Sequence, residues 1–217
     1  MTMDFWRQMD LVSTDDLKTP IVIIGAGGIG SPTCLALAKM GCQRISIFDP
    51  DTIENHNLPN QIYRLGDLGK SKVSALKEII KDFSGLEIEI KEEKYTSQQI
   101  SGIVICAVDT MEVRQAIWKG VKWNPRIPLY IDARMGAEIC RIYSIKPVDP
   151  DDVEIYEATL YSDDEAINLP CTARAIIYNV FTIAGLICSQ VKKFVRSEKF
   201  PKEIIFDLTT LSIVVRW

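Results

Sequence analysis

One stretch constrains this chain more than any other: PIVIIGAGGIGSPTCLALAKMG, residues 20–41. A short apolar run ends at a glycine. Gly25, Gly27 and Gly30 then fall in G-x-G-x-x-G spacing, and a helical run closes at Gly41. An apolar run without alternation predicts a strand covered on both faces, the habit of parallel sheets. RISIFD, at 44–49, is a second such run. The pair predicts a strand–turn–helix–strand unit with the glycines in the first turn. Gly25 permits the tight turn, and Gly27 lets backbone N–H groups approach phosphate oxygens. The helix N-terminus adds a favourable potential for the anion.

The remainder extends that unit. DLGKSKVSALKEIIKDFSG (67–85) predicts an amphipathic helix with Val73, Leu76, Ile79, Ile80 and Phe83 on one face. LEIEIK (86–91) alternates as a strand does, and SGIVICAVD (101–109) is a buried strand ending in an acid. TMEVRQAIWKGVKW (110–123) is helical. PLYIDAR and EICRIYSI are strands around Gly136, and residues 172–195 form a long helix, apolar almost all round. EIIFDL and LSIVVRW predict a closing hairpin around Thr209 and Thr210. Strand and helix alternate first, and strands then dominate. The predicted fold is therefore α/β: a Rossmann-like, doubly wound, mainly parallel sheet extended by antiparallel strands.

With 217 residues, 47% of them hydrophobic, the chain suits one domain with a full core. Its expected parts are an N-terminal segment (1–19), a nucleotide-binding core (20–145), a crossover loop (146–170) and the long helix with the hairpin (171–217). The crossover stretch has no clear period and carries eight acids against one lysine. Net charge is -4, which argues against nucleic acid or an anionic membrane as partner. No apolar stretch is long enough for a membrane span, and the N-terminus lacks a signal-peptide pattern, so a cytoplasmic location is expected. Six cysteines include no C-x-x-C, so no zinc and no disulfide framework are expected. His56 is the sole histidine. A Ser-His-Asp triad would have to use it, and otherwise it is a solvated loop residue.

Which nucleotide binds turns on the residues that follow the glycines. Asp49 lies at the end of the second strand, where an acid accepts from ribose hydroxyls. NAD and ATP are equally served to this point. Asp51 then makes a D-x-D pair, and GDLGKSK places Lys70 and Lys72 at a helix start. A dinucleotide dehydrogenase has no general need for those lysines, whereas a triphosphate needs its charge neutralised. Asp109 ends a strand on the same sheet edge as the glycines. A carboxylate there suits Mg²⁺, which takes one or two carboxylates plus phosphates and water. The bland alternative for Asp109 is an N-cap of the following helix.

Taken together, these motifs (GAGGIGS, IFDPDTIE, NLPNQ, DLGKSK and AVDTMEVR) resemble the ThiF/MoeB/HesA family, small relatives of ubiquitin-activating enzymes. The resemblance spans nearly the whole chain. It implies adenylation, with MgATP, of the C-terminal glycine of a ubiquitin-like or sulfur-carrier protein ending in Gly-Gly, with release of pyrophosphate. It implies that Gly25, Gly27, Gly28 and Gly30 form the phosphate turn, that Asp49 binds ribose, that Asn57 and Gln61 of the N-L-x-x-Q motif belong to the nucleotide site, and that Lys72 contacts phosphate. It implies Asp109 as the Mg²⁺ ligand, with Arg114 five residues on. It also implies that Arg7 reaches across a homodimer, and that Cys171 is a candidate acyl acceptor. The plain alternatives are an exposed helical Arg114, a mobile Arg7 and an unreactive, partly buried Cys171. Three departures stand out: Asn60 replaces an expected arginine, the zinc-binding C-x-x-C pairs are absent, and Thr110 follows the Mg²⁺ acid where Asn is common. Arg64 is the nearest arginine that would compensate at Asn60. Other readings are a tRNA-nucleoside or peptide-adenylating enzyme, an NAD-dependent dehydrogenase, and a non-catalytic partner subunit.

Overall fold

The computed structural model describes residues 3–161 and 175–217. Eight strands form one sheet in the order β3-β2-β1-β4-β5-β6-β7-β8. β1 (Ile21–Ile24), β2 (Ile45–Phe48), β3 (Glu89–Lys91), β4 (Ile103–Cys106) and β5 (Tyr130–Gly136) pair in parallel. β6 (Ile139–Ile145), β7 (Glu203–Asp207) and β8 (Ser212–Arg216) continue the sheet antiparallel. This is the expected doubly wound sheet with its antiparallel extension. β1 and β4 are buried at every residue, as their unbroken apolar runs require.

Helices cover both faces. α1 (Gly30–Met40), α2 (Lys72–Ser84) and a long C-terminal helix, α5 (Ile177–Val195), lie on one side. The other side carries α3 (Met111–Val121) and α4 (Pro150–Glu157), whose Trp118, Val121, Val153 and Tyr156 pack with Val104, Tyr130 and Tyr143 of the sheet. β1 hands the chain toward β2 and β3, and the next strand, β4, lies on the other side of β1. That reversal between β1 and β4 opens a crevice outside the strand C-termini, where doubly wound folds bind ligands.

Three local expectations need correction. Residues 150–157, read as loop, are helical: Asp149 caps the helix by accepting from the Asp151 N–H, Pro150 sits in its first turn, and Val153 and Tyr156 anchor it. Two anchors three residues apart are too few to show as a period. The long helix starts at Ile177, behind an extended Ile176, and residues 172–174 lie outside the described residues. That helix is not buried all round in this chain: Tyr178 and Phe181 face out, while Asn179 and Gln190 are buried. On α2, Phe83 points to solvent, although Val73, Leu76, Ile79 and Ile80 are core.

Candidate functional site

The glycine turn sits where β1 delivers it. Gly25 has φ +102°, and a Cβ there would lie 2.5 Å from the Ala107 carbonyl across the crevice. Only glycine fits both the backbone and the gap. Gly25 N–H donates to Phe48 O, and Ser31 N–H to Gly27 O. Among the described residues no acceptor meets the N–H groups of Gly27, Gly28, Ile29 or Gly30. Unpaired N–H groups at a helix start form a concave anion site.

Asp49 ends β2 beside this turn and is buried. One carboxylate oxygen accepts from Ala26 N–H at 2.6 Å and the other from Asp51 N–H at 2.9 Å. Burial raises its pKa; the two N–H groups and Lys72 act the other way without cancelling that rise. Lys72 opens α2, almost buried, with Nζ 2.8 Å from Asp51 and 3.9 Å from Asp49. The D-x-D pair therefore holds the lysine at the crevice.

Asn60 and Gln61 lie over the glycines. A Cβ on Gly28 would sit 3.1 Å from Asn60 O, and one on Gly27 would sit 4.0 Å from Gln61 Nε2. Asn60 Oδ1, Gln61 Oε1 and Ser71 Oγ are buried without a hydrogen-bond partner. Buried polar atoms are seldom left unpaired, so the two over the glycine turn, on Asn60 and Gln61, mark a place for a polar ligand. Asn57 uses its side-chain oxygen locally, accepting from Glu54 N–H at 2.9 Å.

Asp109 follows β4 at the same edge and is exposed. The N-cap alternative fails, because Thr110 caps α3 by accepting from Val113 N–H. Among the described residues the Asp109 carboxylate has no hydrogen-bond or ion-pair partner. Nor, among the described residues, do three His, Cys, Asp or Glu side chains gather in position for a metal. Mg²⁺ on a nucleotide needs none, since phosphates and water fill most of its shell.

Of the arginines, only Arg114 departs from its exposed-helix alternative, by being buried. Arg64 does not replace the arginine missing at Asn60: its guanidinium is taken up by Asp67 (2.9 Å), Asp82 (3.1 Å) and Glu78 (3.3 Å). Lys70 joins the same acidic cluster. Arg114 is buried and bonded to Asp132, Val108 O and Thr110 O. Burial disfavours its charge, yet the adjacent Asp132 carboxylate holds it firmly protonated. Arg7 lies in a short 3-10 turn (Trp6–Gln8) tied to the far end of α1, where Gln8 Nε2 donates to Met40 O and Phe5 packs on Gly41. The eleven residues of α1 put that end about 16 Å from the glycines at 1.5 Å per residue. Cys171 lies outside the described residues. Cys140, by contrast, is a packing residue, its thiol pushed up to about 12 by burial.

Asp132, Arg134 and Tyr156 were not singled out from sequence. The available signal was an acid and an arginine, in YIDAR, inside an otherwise apolar strand.

The fold and its crevice define a doubly wound α/β domain with a phosphate-type turn at its switch point. Within that class the chain belongs to the ThiF family, whose sequence model matches residues 6–212. Among curated proteins it is 36% identical over 86 residues to "tRNA threonylcarbamoyladenosine dehydratase 1" of Saccharomyces cerevisiae, covering 39% of this chain and 20% of that protein. It is 31% identical over 109 residues to "Adenylyltransferase and sulfurtransferase MOCS3-1" of Zea mays, covering 46% and 23%. The chain thus spans only about a fifth to a quarter of these relatives. Among solved structures, E. coli MccB with MccA-N7isoASN superimposes with TM-score 0.76 at 20% identity, over 94% of this chain and 66% of that one. PaaA gives 0.73 at 21% identity, over 98% and 68%. At that identity the likeness establishes the fold.

Proposed function

We propose that this chain is an ATP-dependent adenylyltransferase that activates the C-terminal carboxylate of a small ubiquitin-like or sulfur-carrier protein. The observation that carries this reading is one edge of the sheet: N–H groups over Gly27–Gly30 and an Asp109 carboxylate that have no partner among the described residues, with Lys72 beside them. A triphosphate needs donors, a cation and a metal ligand together, and a dinucleotide does not. The likeness to adenylyltransferases such as MOCS3-1, and to MccB, which has been solved with ATP, supports it.

In this reading the chain, as one adenylating domain, holds ATP by its own groups. The glycine N–H groups cradle phosphate. Asn57 and Gln61 offer amides, and Asp49 accepts from ribose hydroxyls, which favours its ionised form against burial. Lys72 exchanges Asp51 for a phosphate oxygen. Asp109 would hold Mg²⁺, which would neutralise phosphate charge. A carboxylate oxygen of the carrier attacks the α-phosphorus, and the bond from that phosphorus to the β-phosphate oxygen breaks. The products are an acyl-adenylate and pyrophosphate. Cys171 is then a candidate acceptor for the acyl group. Arg7, placed far from its own chain's glycines, serves the partner's phosphates in a homodimer. Its planar fork suits that role. A cytoplasmic location goes with this reading; among the described residues no helix is long and apolar enough to cross a membrane.

One observation favours a second reading, a partner-dependent or non-catalytic subunit. Asn60 removes a cation and Arg64 does not restore it. Two measurements decide. MgATP is expected to raise the melting temperature, as a ligand specific to the native state does. ATP–pyrophosphate exchange should appear with a Gly-Gly-ending carrier. Stabilisation by NADH but not by MgATP overturns the nucleotide assignment, and MgATP stabilisation without exchange selects the second reading.

A further inference from the structure

Asp132 sits fully buried in the middle of β5, a charged residue in the centre of an apolar sheet. Arg114 Nε donates to one of its oxygens at 2.6 Å. The other oxygen accepts from Arg134 Nε at 2.8 Å and from the Tyr156 hydroxyl at 3.0 Å. Two guanidiniums and a phenol thus lock one carboxylate in place. With Nε held, the planar fork of Arg114 has one orientation left. Nη2 donates to Val108 O at 2.7 Å and Nη1 to Thr110 O at 3.4 Å. Those carbonyls belong to the residues on either side of Asp109. On the far side, Arg134 donates to the carbonyl and hydroxyl of Thr159, bracing Asp132 against the end of α4.

We propose that Asp132 is a positioning residue for Asp109, acting through the guanidinium of Arg114 on the two carbonyls that flank it. The inference rests on the reading of Asp109 as the metal-binding carboxylate. Asp109 has no side-chain partner of its own among the described residues, so the backbone from 108 to 110 sets where its carboxylate stands. A buried charged cluster is a poor way to fill a core, since apolar residues of the same volume pack at no desolvation cost. Its place directly behind the metal loop accounts for its presence. Partners one step behind a metal ligand orient it, and precise sites depend on them.

The test uses the full chain and two variants. Asp132→Asn keeps the shape and removes the charge, while Arg114→Lys keeps the charge and removes the fork. ATP binding is measured calorimetrically with EDTA and with Mg²⁺, and the Mg²⁺ half-saturation is read from the same binding signal. Both variants should bind ATP in EDTA within about twofold of wild type, with a half-saturation for Mg²⁺ raised about tenfold, the lower end of the effect of outer partners on metal affinity. An unchanged Mg²⁺ half-saturation in both variants overturns the proposal. So does an equal loss of ATP binding with and without Mg²⁺, which marks a packing role. If Asp132→Asn does not fold, Arg114→Lys decides alone by the same two readouts. Should wild type bind ATP without any response to Mg²⁺, the Asp109 assignment itself falls, independently of either variant.

Discussion

At the scale of single residues, the division of labour between Asp109 and Thr110 yields a clean separation of function from stability. Thr110 caps α3, and Asp109 bonds to nothing among the described residues. Asp109→Ala should change unfolding free energy by less than about 0.5 kcal/mol, as exposed substitutions do, while abolishing pyrophosphate exchange. Thr110→Ala should lose about 1 kcal/mol of stability, the usual worth of a cap. Urea unfolding beside exchange assays checks both, and near-normal exchange in Asp109→Ala would remove it from the site. Asp132 makes a pH prediction. Burial opposes its charge, but Arg114 and Arg134 outweigh burial and hold its pKa below the ordinary carboxylate value. A depressed folded pKa stabilises above the unfolded pKa, and that contribution is lost as pH falls through the folded one. Wild-type stability should therefore decline below about pH 4, the unfolded carboxylate range, and Asp132→Asn should lack that part of the decline. Urea midpoints from pH 5 downward test it; parallel curves would contradict it.

At the scale of elements, the β1–α1 turn is packed backbone against backbone. A Cβ on Gly30 would lie 1.8 Å from the Gly25 carbonyl, a backbone atom that cannot yield without opening the turn. Gly30→Ala should cost about 3 kcal/mol, the upper end for overpacking, and should also reduce MgATP stabilisation. Gly66 is a control, since a Cβ there meets nothing within 4 Å. Gly66→Ala should move stability by less than about 0.5 kcal/mol. A Gly30→Ala variant as stable as wild type would show that the turn relaxes, and would weaken its reading as a fixed phosphate cradle.

At the scale of the whole molecule, apolar surface and the site of Arg7 point the same way. Tyr178 and Phe181 of α5 and Ile213, Val214, Val215 and Trp217 at the β8 edge are exposed. Exposed apolar surface on these two elements suits interaction with a second copy, and Arg7 stands at the opposite end of α1 from its own chain's glycines. We expect a homodimer whose sites are completed in trans. Mixing Arg7→Ala with Asp109→Ala chains should restore about a quarter of wild-type exchange under random pairing across a two-fold axis. A fully active monomer in sedimentation at micromolar concentration would rule this out.

The sequence by itself determined the architecture and the ligand edge. Short apolar runs ended by turn residues suit strands covered on both faces, and a G-x-G-x-x-G between strand and helix suits a tight phosphate turn. Those local rules put Gly25, Asp49 and Asp109 at strand ends on one edge, and Lys72 at the start of a helix. Tertiary structure alone decided how the charged side chains are spent. Arg64 looked available one turn beyond Asn60, but Asp82 and Glu78 from α2 capture it. Arg114 looked like a surface residue, but Asp132, eighteen positions away, draws it into the core. Both outcomes depend on side chains distant in sequence and adjacent in space, and local periodicity carries no record of such pairs.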